Sequence, residues 1–114
     1  MLCIGDSFTF AKDVSQQETY YAVLQEKINA AVFAYGADGY DSLQEYLILD
    51  KWLDVIKPDV VVWQFCYNDF INNSLELTQQ SAKNQCHVSQ PYLAAEGQII
   101  YDNPGERRMS TLTL

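Results

Sequence analysis

The sequence predicts an α/β fold built on a parallel, doubly wound sheet. Three apolar runs, Leu2-Cys3-Ile4, Ala31–Tyr35 and Val60-Val61-Val62-Trp63, each lead into a polar turn. Two amphipathic stretches separate these runs, so the first half reads βαβαβ. The third run does not alternate, as expected of a parallel strand covered by helices on both faces.

Each element has its own signal. Met1–Ile4 is expected as strand one, and the Gly5-Asp6-Ser7-Phe8-Thr9 turn follows it. Ser15-Gln16-Gln17-Glu18 reads as a capping box opening a helix with Tyr21, Leu24 and Ile28 on one face. Ala31–Tyr35 is strand two, bounded by Gly36. Ser42-Leu43-Gln44-Glu45 reads as a second capping box, opening a helix with Leu43, Tyr46, Leu47, Leu53 and Ile56 as its apolar set. Pro58 stops that helix, because proline disfavours the α region for the residue before it. Asp59–Phe65 holds strand three, and right-handed crossovers are expected between the strands. Beyond Ile71 the pattern weakens. Leu75–Lys83 is expected as a short polar helix, with extended pieces at Pro91–Leu93 and Gln98–Tyr101 around a Glu96-Gly97 turn. The 114 residues are read as one domain, with a βαβαβ core over 1–73 and a loop-rich excursion over 74–114 beside the site.

Bulk properties exclude several classes of function. Seven basic residues against fifteen acidic ones give a formal charge of −8. That balance argues against nucleic acid, whose phosphates need a basic surface, and against anionic membranes. Three cysteines, Cys3, Cys66 and Cys86, show no paired spacing and argue against a disulfide framework. Cys3 and Cys66 read as small buried hydrophobes. One histidine and scattered cysteines give no metal-ligand spacing, so no metal or other cofactor is expected. No apolar stretch approaches the roughly 18 residues of a membrane span, no signal peptide is recognisable, and the compartment is left open. The abrupt first strand and the unterminated Met109–Leu114 lead us to expect a piece of a longer protein.

Three strand ends deliver Ser7, Gly39 and Asn68-Asp69 to one edge of the sheet, where open α/β sheets place their sites. Acyl transfer needs a nucleophile and donors aimed at the oxygen that becomes negative. A glycine N–H lets substrate approach the backbone, an asparagine amide is a neutral donor, and the N–H of Ser7 is a further one. Each residue also has an ordinary reading as a turn former.

In this order and strand context the chain resembles the SGNH (GDSL-type) hydrolases, a family of esterases and lipases. The resemblance rests on Gly5-Asp6-Ser7-Phe8-Thr9, Gly36-Ala37-Asp38-Gly39 and Tyr67-Asn68-Asp69, across residues 1 to 73. It implies a flavodoxin-like α/β/α sandwich with strand one between two and three, and Val60–Trp63 as an exposed apolar edge. It implies Ser7 as nucleophile, with Gly39 and Asn68 completing the oxyanion hole. It implies a small-molecule ester substrate, a lipid or an acylated carbohydrate, cleaved through an acyl-serine without cofactor. Asp6 and Asp69 are read as supports that hydrogen-bond loop backbone.

The chain departs from the family at three places. Cys66 stands where a glycine is usual and Ala34 where an asparagine is usual. The family's general base is a histidine in an Asp-x-x-His motif near the C-terminus, and this sequence has none. Its one histidine, His87, has Asn84 three residues before it and reads as an ordinary loop histidine. A serine without a base is a weak nucleophile, so the longer parent is expected to be a hydrolase and these 114 residues nearly inactive. The competing readings are a non-catalytic module holding an anion or flavin phosphate at the same sheet edge, and a degenerate remnant.

Overall fold

The computed structural model describes residues 1–81 and 88–103. The chain forms two compact units, Met1–Cys66 and Tyr67–Leu114. His87 and Cys86 lie outside the described residues, as does the end of the helix expected to reach Lys83.

The first unit is the expected α/β half-sheet. Strands β1 (Leu2–Gly5), β2 (Phe33–Gly36) and β3 (Val61–Trp63) are parallel in the order β2-β1-β3. This is the start of the flavodoxin-like strand order. Register runs Leu2↔Phe33 to Gly5↔Gly36 on one side of β1 and Leu2↔Val61 to Ile4↔Trp63 on the other. Leu2, Cys3 and Ile4 are buried because β1 is central.

Helices flank both faces, as alternation along β1 requires. Helix α3 (Ser42–Ile56) lies over the Leu2 and Ile4 face, where Ile48, Trp52 and Ile56 share a cavity of about 170 Å³ with Leu2, Ile4 and β2. Helix α2 (Tyr20–Ile28) lies over the opposite face, and its Tyr20 reaches the Cys3 thiol. Burial pushes that thiol's pKa up, with the Tyr20 bond opposing. Cys3 is thus the small buried side chain the sequence suggests.

Several local readings are corrected. The Ser15 and Glu18 box is formed, with Ser15 Oγ 2.6 Å from Glu18 Oε2, but it closes a 3₁₀ turn over Gln16–Glu18. Helix α2 starts later, capped by Thr19, whose Oγ1 accepts from Ala22 N. The second box sits one residue earlier than expected: Asp41 caps α3, accepting from Leu43 N and Gln44 N, while Gln44 bonds back to Asp41 N. That frees Glu45 to turn inward, where it is fully buried and accepts from Trp63 Nε1 at 2.6 Å. Glu45, Ile48 and Ile56 therefore face inward on α3, with Trp52, itself 40% exposed, at the rim of the same cavity; Leu53 is exposed. Lys57 ends α3 in the left-handed conformation just before Pro58. A one-turn helix absent from the sequence reading, α1 (Ser7–Phe10), follows β1 directly.

Strand β3 is not covered on both faces. It is an edge strand, and Val60, Val61, Val62 and Trp63 are 49%, 37%, 36% and 43% exposed. An apolar edge without a charged or bulged residue invites pairing with another chain. The protein is expected to self-associate, and Val60→Lys to shift it toward monomer in size-exclusion chromatography with light scattering. A monodisperse wild-type monomer would count against this.

The second unit holds two short helices and a hairpin. Helices α4 (Asp69–Asn72) and α5 (Leu75–Gln80) are joined by Thr78 Oγ1, which donates to Ile71 O at 2.9 Å. Strands β4 (Gln90–Leu93) and β5 (Ile99–Asp102) pair antiparallel around the Glu96-Gly97 turn, as expected. Gly97 takes φ +78° and donates to Ala94 O, the geometry of a three-residue hairpin loop with a bulged glycine. Tyr92, 1% exposed, is the core of this unit. Leu93 N donates to Asn73 O and ties the hairpin to the helices.

Candidate active site

The site in the first unit is built on the carboxyl ends of β1 and β2. Asp6 follows β1 and is 5% exposed. Its Oδ1 accepts from Phe8 N at 2.9 Å and so starts α1 one residue later. The turn closes through Phe10 N to Asp6 O and Ala11 N to Ser7 O, both 2.9 Å. Ala11 ends it in the left-handed region. Ser7 is thereby the first helical residue after the strand.

The polar side chains of this block have different fates. Asp6 is held by Phe8 N and by Gln64 Nε2 at 2.6 Å. Thr9 is fully buried and held by Gln64 Oε1 at 2.7 Å and Tyr20 OH at 2.9 Å. Burial raises the Tyr20 pKa, against the lowering pull of its Thr9 bond, so the phenol stays protonated and able to donate. Ser7, half-buried, is not used in this way: its hydroxyl makes no hydrogen bond among the described residues. Asp6 thus supports the loop backbone as expected.

Gly36 and Gly39 do different work. Gly36 ends β2 against the backbone of α1: a Cβ there would lie 2.2 Å from Phe10 N and 2.5 Å from the Thr9 carbonyl carbon. Gly39 adopts φ +77°, a conformation that favours glycine, and follows Asp38 in the next turn. Lys12 Nζ bonds Asp38 Oδ2 at 2.9 Å and bridges the loop after α1 to the Gly39 turn. Ser7, Phe8, Ala11, Val14, Lys12 and Asp38 border one cavity of about 410 Å³. So Ser7 and Asp38, the residue before Gly39, border the same cavity. The N–H groups of Ser7 and Gly39 have no acceptor among the described residues. Lys12 is not suited to serve as a base there, because its bond to Asp38, and then that carboxylate's charge, raise its pKa.

Asn68 belongs to the second unit. It precedes α4 and accepts through its carbonyl from Ile71 N and Asn72 N, both 3.0 Å. Its side-chain amide makes no capping bond, unlike the caps Asp6 and Asp41. Asp69 beside it is fully buried.

The residue that sequence reasoning missed is Gln64. It follows β3, and its amide joins Asp6 to Thr9 across Ser7. Its signal in the sequence is weak: a glutamine after an apolar strand is an ordinary strand end.

Among the described residues, no group of three or more His, Cys, Asp or Glu is placed to hold a metal ion. No helix among them is long and apolar enough to cross a membrane. Comparison with protein-family models, curated proteins and solved structures finds no match to this chain.

Proposed function

We propose that this chain carries the nucleophile block of a serine ester hydrolase of SGNH type, acting on a small-molecule ester through an acyl-serine. The observation that carries the reading is the fate of Asp6, Ser7 and Thr9. If Gly5–Thr9 were only a turn, its polar side chains would serve the turn. Asp6 and Thr9 do so; Ser7 does not, and it faces a cavity instead. The N–H groups of Ser7 and Gly39, which have no acceptor among the described residues, are the donors this reading assigns to the oxyanion. Asn68 is assigned the third donor by its motif alone.

Attack by Ser7 Oγ on the ester carbonyl forms the tetrahedral oxyanion, whose collapse expels the alcohol and leaves an acyl-serine. Water then releases the acid. With no Asp-x-x-His in the sequence, solvent water or hydroxide takes the Ser7 proton in the first step, and water returns one to the departing alcohol. Without a triad base, catalysis falls to the level of oxyanion hole and binding, ~10³–10⁴-fold over water.

A fluorophosphonate probe is therefore expected to modify Ser7 slowly, with faster labelling at mildly alkaline pH. Ser7→Ala should abolish the label in intact-mass and peptide mass spectrometry. Labelling at another residue, or none on Ser7 after prolonged exposure, would overturn the reading. Ester turnover comparable to an intact esterase and lost in Ser7→Ala would instead show that a base is present after all.

A further inference from the structure

We propose that Gln64 is the positioning residue of the Ser7 turn, holding it through Asp6 on one side and Thr9 on the other. As a catalytic role this rests on the hydrolase reading; as a structural one it stands alone. Gln64 is anchored by its own backbone, whose N–H donates to Ile4 O at 2.9 Å. Its side chain then reaches the β1 turn. Nε2 donates to Asp6 Oδ1 at 2.6 Å, and Oε1 accepts from Thr9 Oγ1 at 2.7 Å.

The chemistry fixes which end of the amide faces which partner. A carboxylate only accepts, so the NH₂ faces Asp6. The Thr9 hydrogen goes to Oε1, so Tyr20 OH is the donor in its 2.9 Å contact with Thr9. The bonds run Tyr20 to Thr9 to Gln64 to Asp6, each donor polarised by the next acceptor and the last one charged. A side chain at this place must therefore donate at one end and accept at the other.

The rest of the block is shaped around that amide. A Cβ on Gly5 would lie 2.6 Å from Gln64 Oε1, 2.9 Å from Gln64 Cβ and 2.5 Å from Thr9 Oγ1. Gly5, Asp6 and Thr9 each accommodate or bind Gln64, a residue 58 positions from Asp6. Only Ser7 and Phe8 of Gly5–Thr9 are left outside this role, and they line the cavity. The turn is thus bolted to the end of β3 on both sides of the serine.

The test uses Gln64→Met and Gln64→Glu in the full chain, with hydrogen exchange of the Phe8 amide as readout. That amide donates to Asp6 Oδ1, whereas the Lys57 amide, bonded to Leu53 O in α3, is a remote control. In Gln64→Met, Phe8 protection should fall by about tenfold or more while Lys57 protection is unchanged. Gln64→Glu should show the same loss at neutral pH, because two carboxylates then face each other. It should recover in acid, where a protonated Glu at position 64 donates to Asp6 and accepts from Thr9 like the amide. The titratable groups joined to this network are Asp6 directly, Tyr20 through Thr9, and Cys3 through Tyr20.

Unchanged Phe8 protection in both variants would overturn the proposal. So would equal losses at Lys57, unfolding of both variants at every pH, or no acid recovery of Gln64→Glu. Fluorophosphonate labelling of Ser7 should follow the same order. If the wild-type chain takes no label at Ser7, the hydrolase reading falls, and the exchange pattern still decides the role of Gln64.

Discussion

Gly36→Ala is expected to unfold much of the first unit under conditions where the wild-type chain is folded. The added Cβ would meet Phe10 N at 2.2 Å, the Thr9 carbonyl carbon at 2.5 Å and Thr9 Cβ at 2.8 Å. Two of these three atoms are main chain, so no side-chain rotation relieves the overlap. Either α1 lifts from the end of β2 or the Gly5↔Gly36 pairing opens. Overpacking of cores typically costs about 1–3 kcal/mol, and contact with immovable backbone belongs at or above the top of that range. Small domains have only about 5–15 kcal/mol in hand, so the urea midpoint should drop sharply. Gly97→Ala is the internal control. There the new Cβ meets nothing within 4 Å, and only the positive φ of +78° penalises it, by about 1–2 kcal/mol. Equal losses from the two substitutions would mean that α1 can move freely over β2.

The same contact explains what was legible in the sequence. The βαβαβ succession followed from three apolar runs separated by two amphipathic ones, whereas the order β2-β1-β3 was implied by the family resemblance and not by the pattern. The positions of Ser7 after β1 and of the Gly39 turn after β2 were legible because local chain order fixes them. What escaped was set by partners far along the chain. Glu45 reads as a capping-box acid, yet it turns inward because Trp63 Nε1 needs an acceptor there. Asp41 takes the cap because its carboxylate reaches both Leu43 N and Gln44 N, so Ser42 is displaced by a neighbour equally suited on propensity. Gln64 is invisible for the same reason: its meaning lies in Asp6 and Thr9, and no periodicity links them. For the third apolar run, lack of alternation gave the right strand but the wrong cover, while the exposed edge implied by the resemblance is what the structure has.

Asp6 separates two accounts of the site, and its substitutions should differ widely. In the arrangement described, Asp6 is an acceptor: Oδ1 takes Phe8 N at 2.9 Å and Gln64 Nε2 at 2.6 Å, at 5% exposure. Asp6→Ala removes a helix cap, worth about 1 kcal/mol, and a charge-assisted bond, worth about 1.5–3 kcal/mol. The loss in unfolding free energy should be roughly 3 kcal/mol, because the Gln64 amide is left facing no acceptor. Asp6→Asn keeps an oxygen at the same place, and that oxygen can accept both bonds. Its cost should be about 1 kcal/mol, the difference between a charged and a neutral acceptor. Ser7 labelling should follow stability, nearly retained in Asp6→Asn and largely lost in Asp6→Ala. If Asp6 were instead an acid or base acting on substrate, the order would change. Asp6→Asn would then abolish activity while leaving the fold intact, because the amide preserves the hydrogen bonds but cannot exchange a proton. Denaturation and labelling of the two variants side by side thus assign Asp6 either to holding the serine or to the reaction itself.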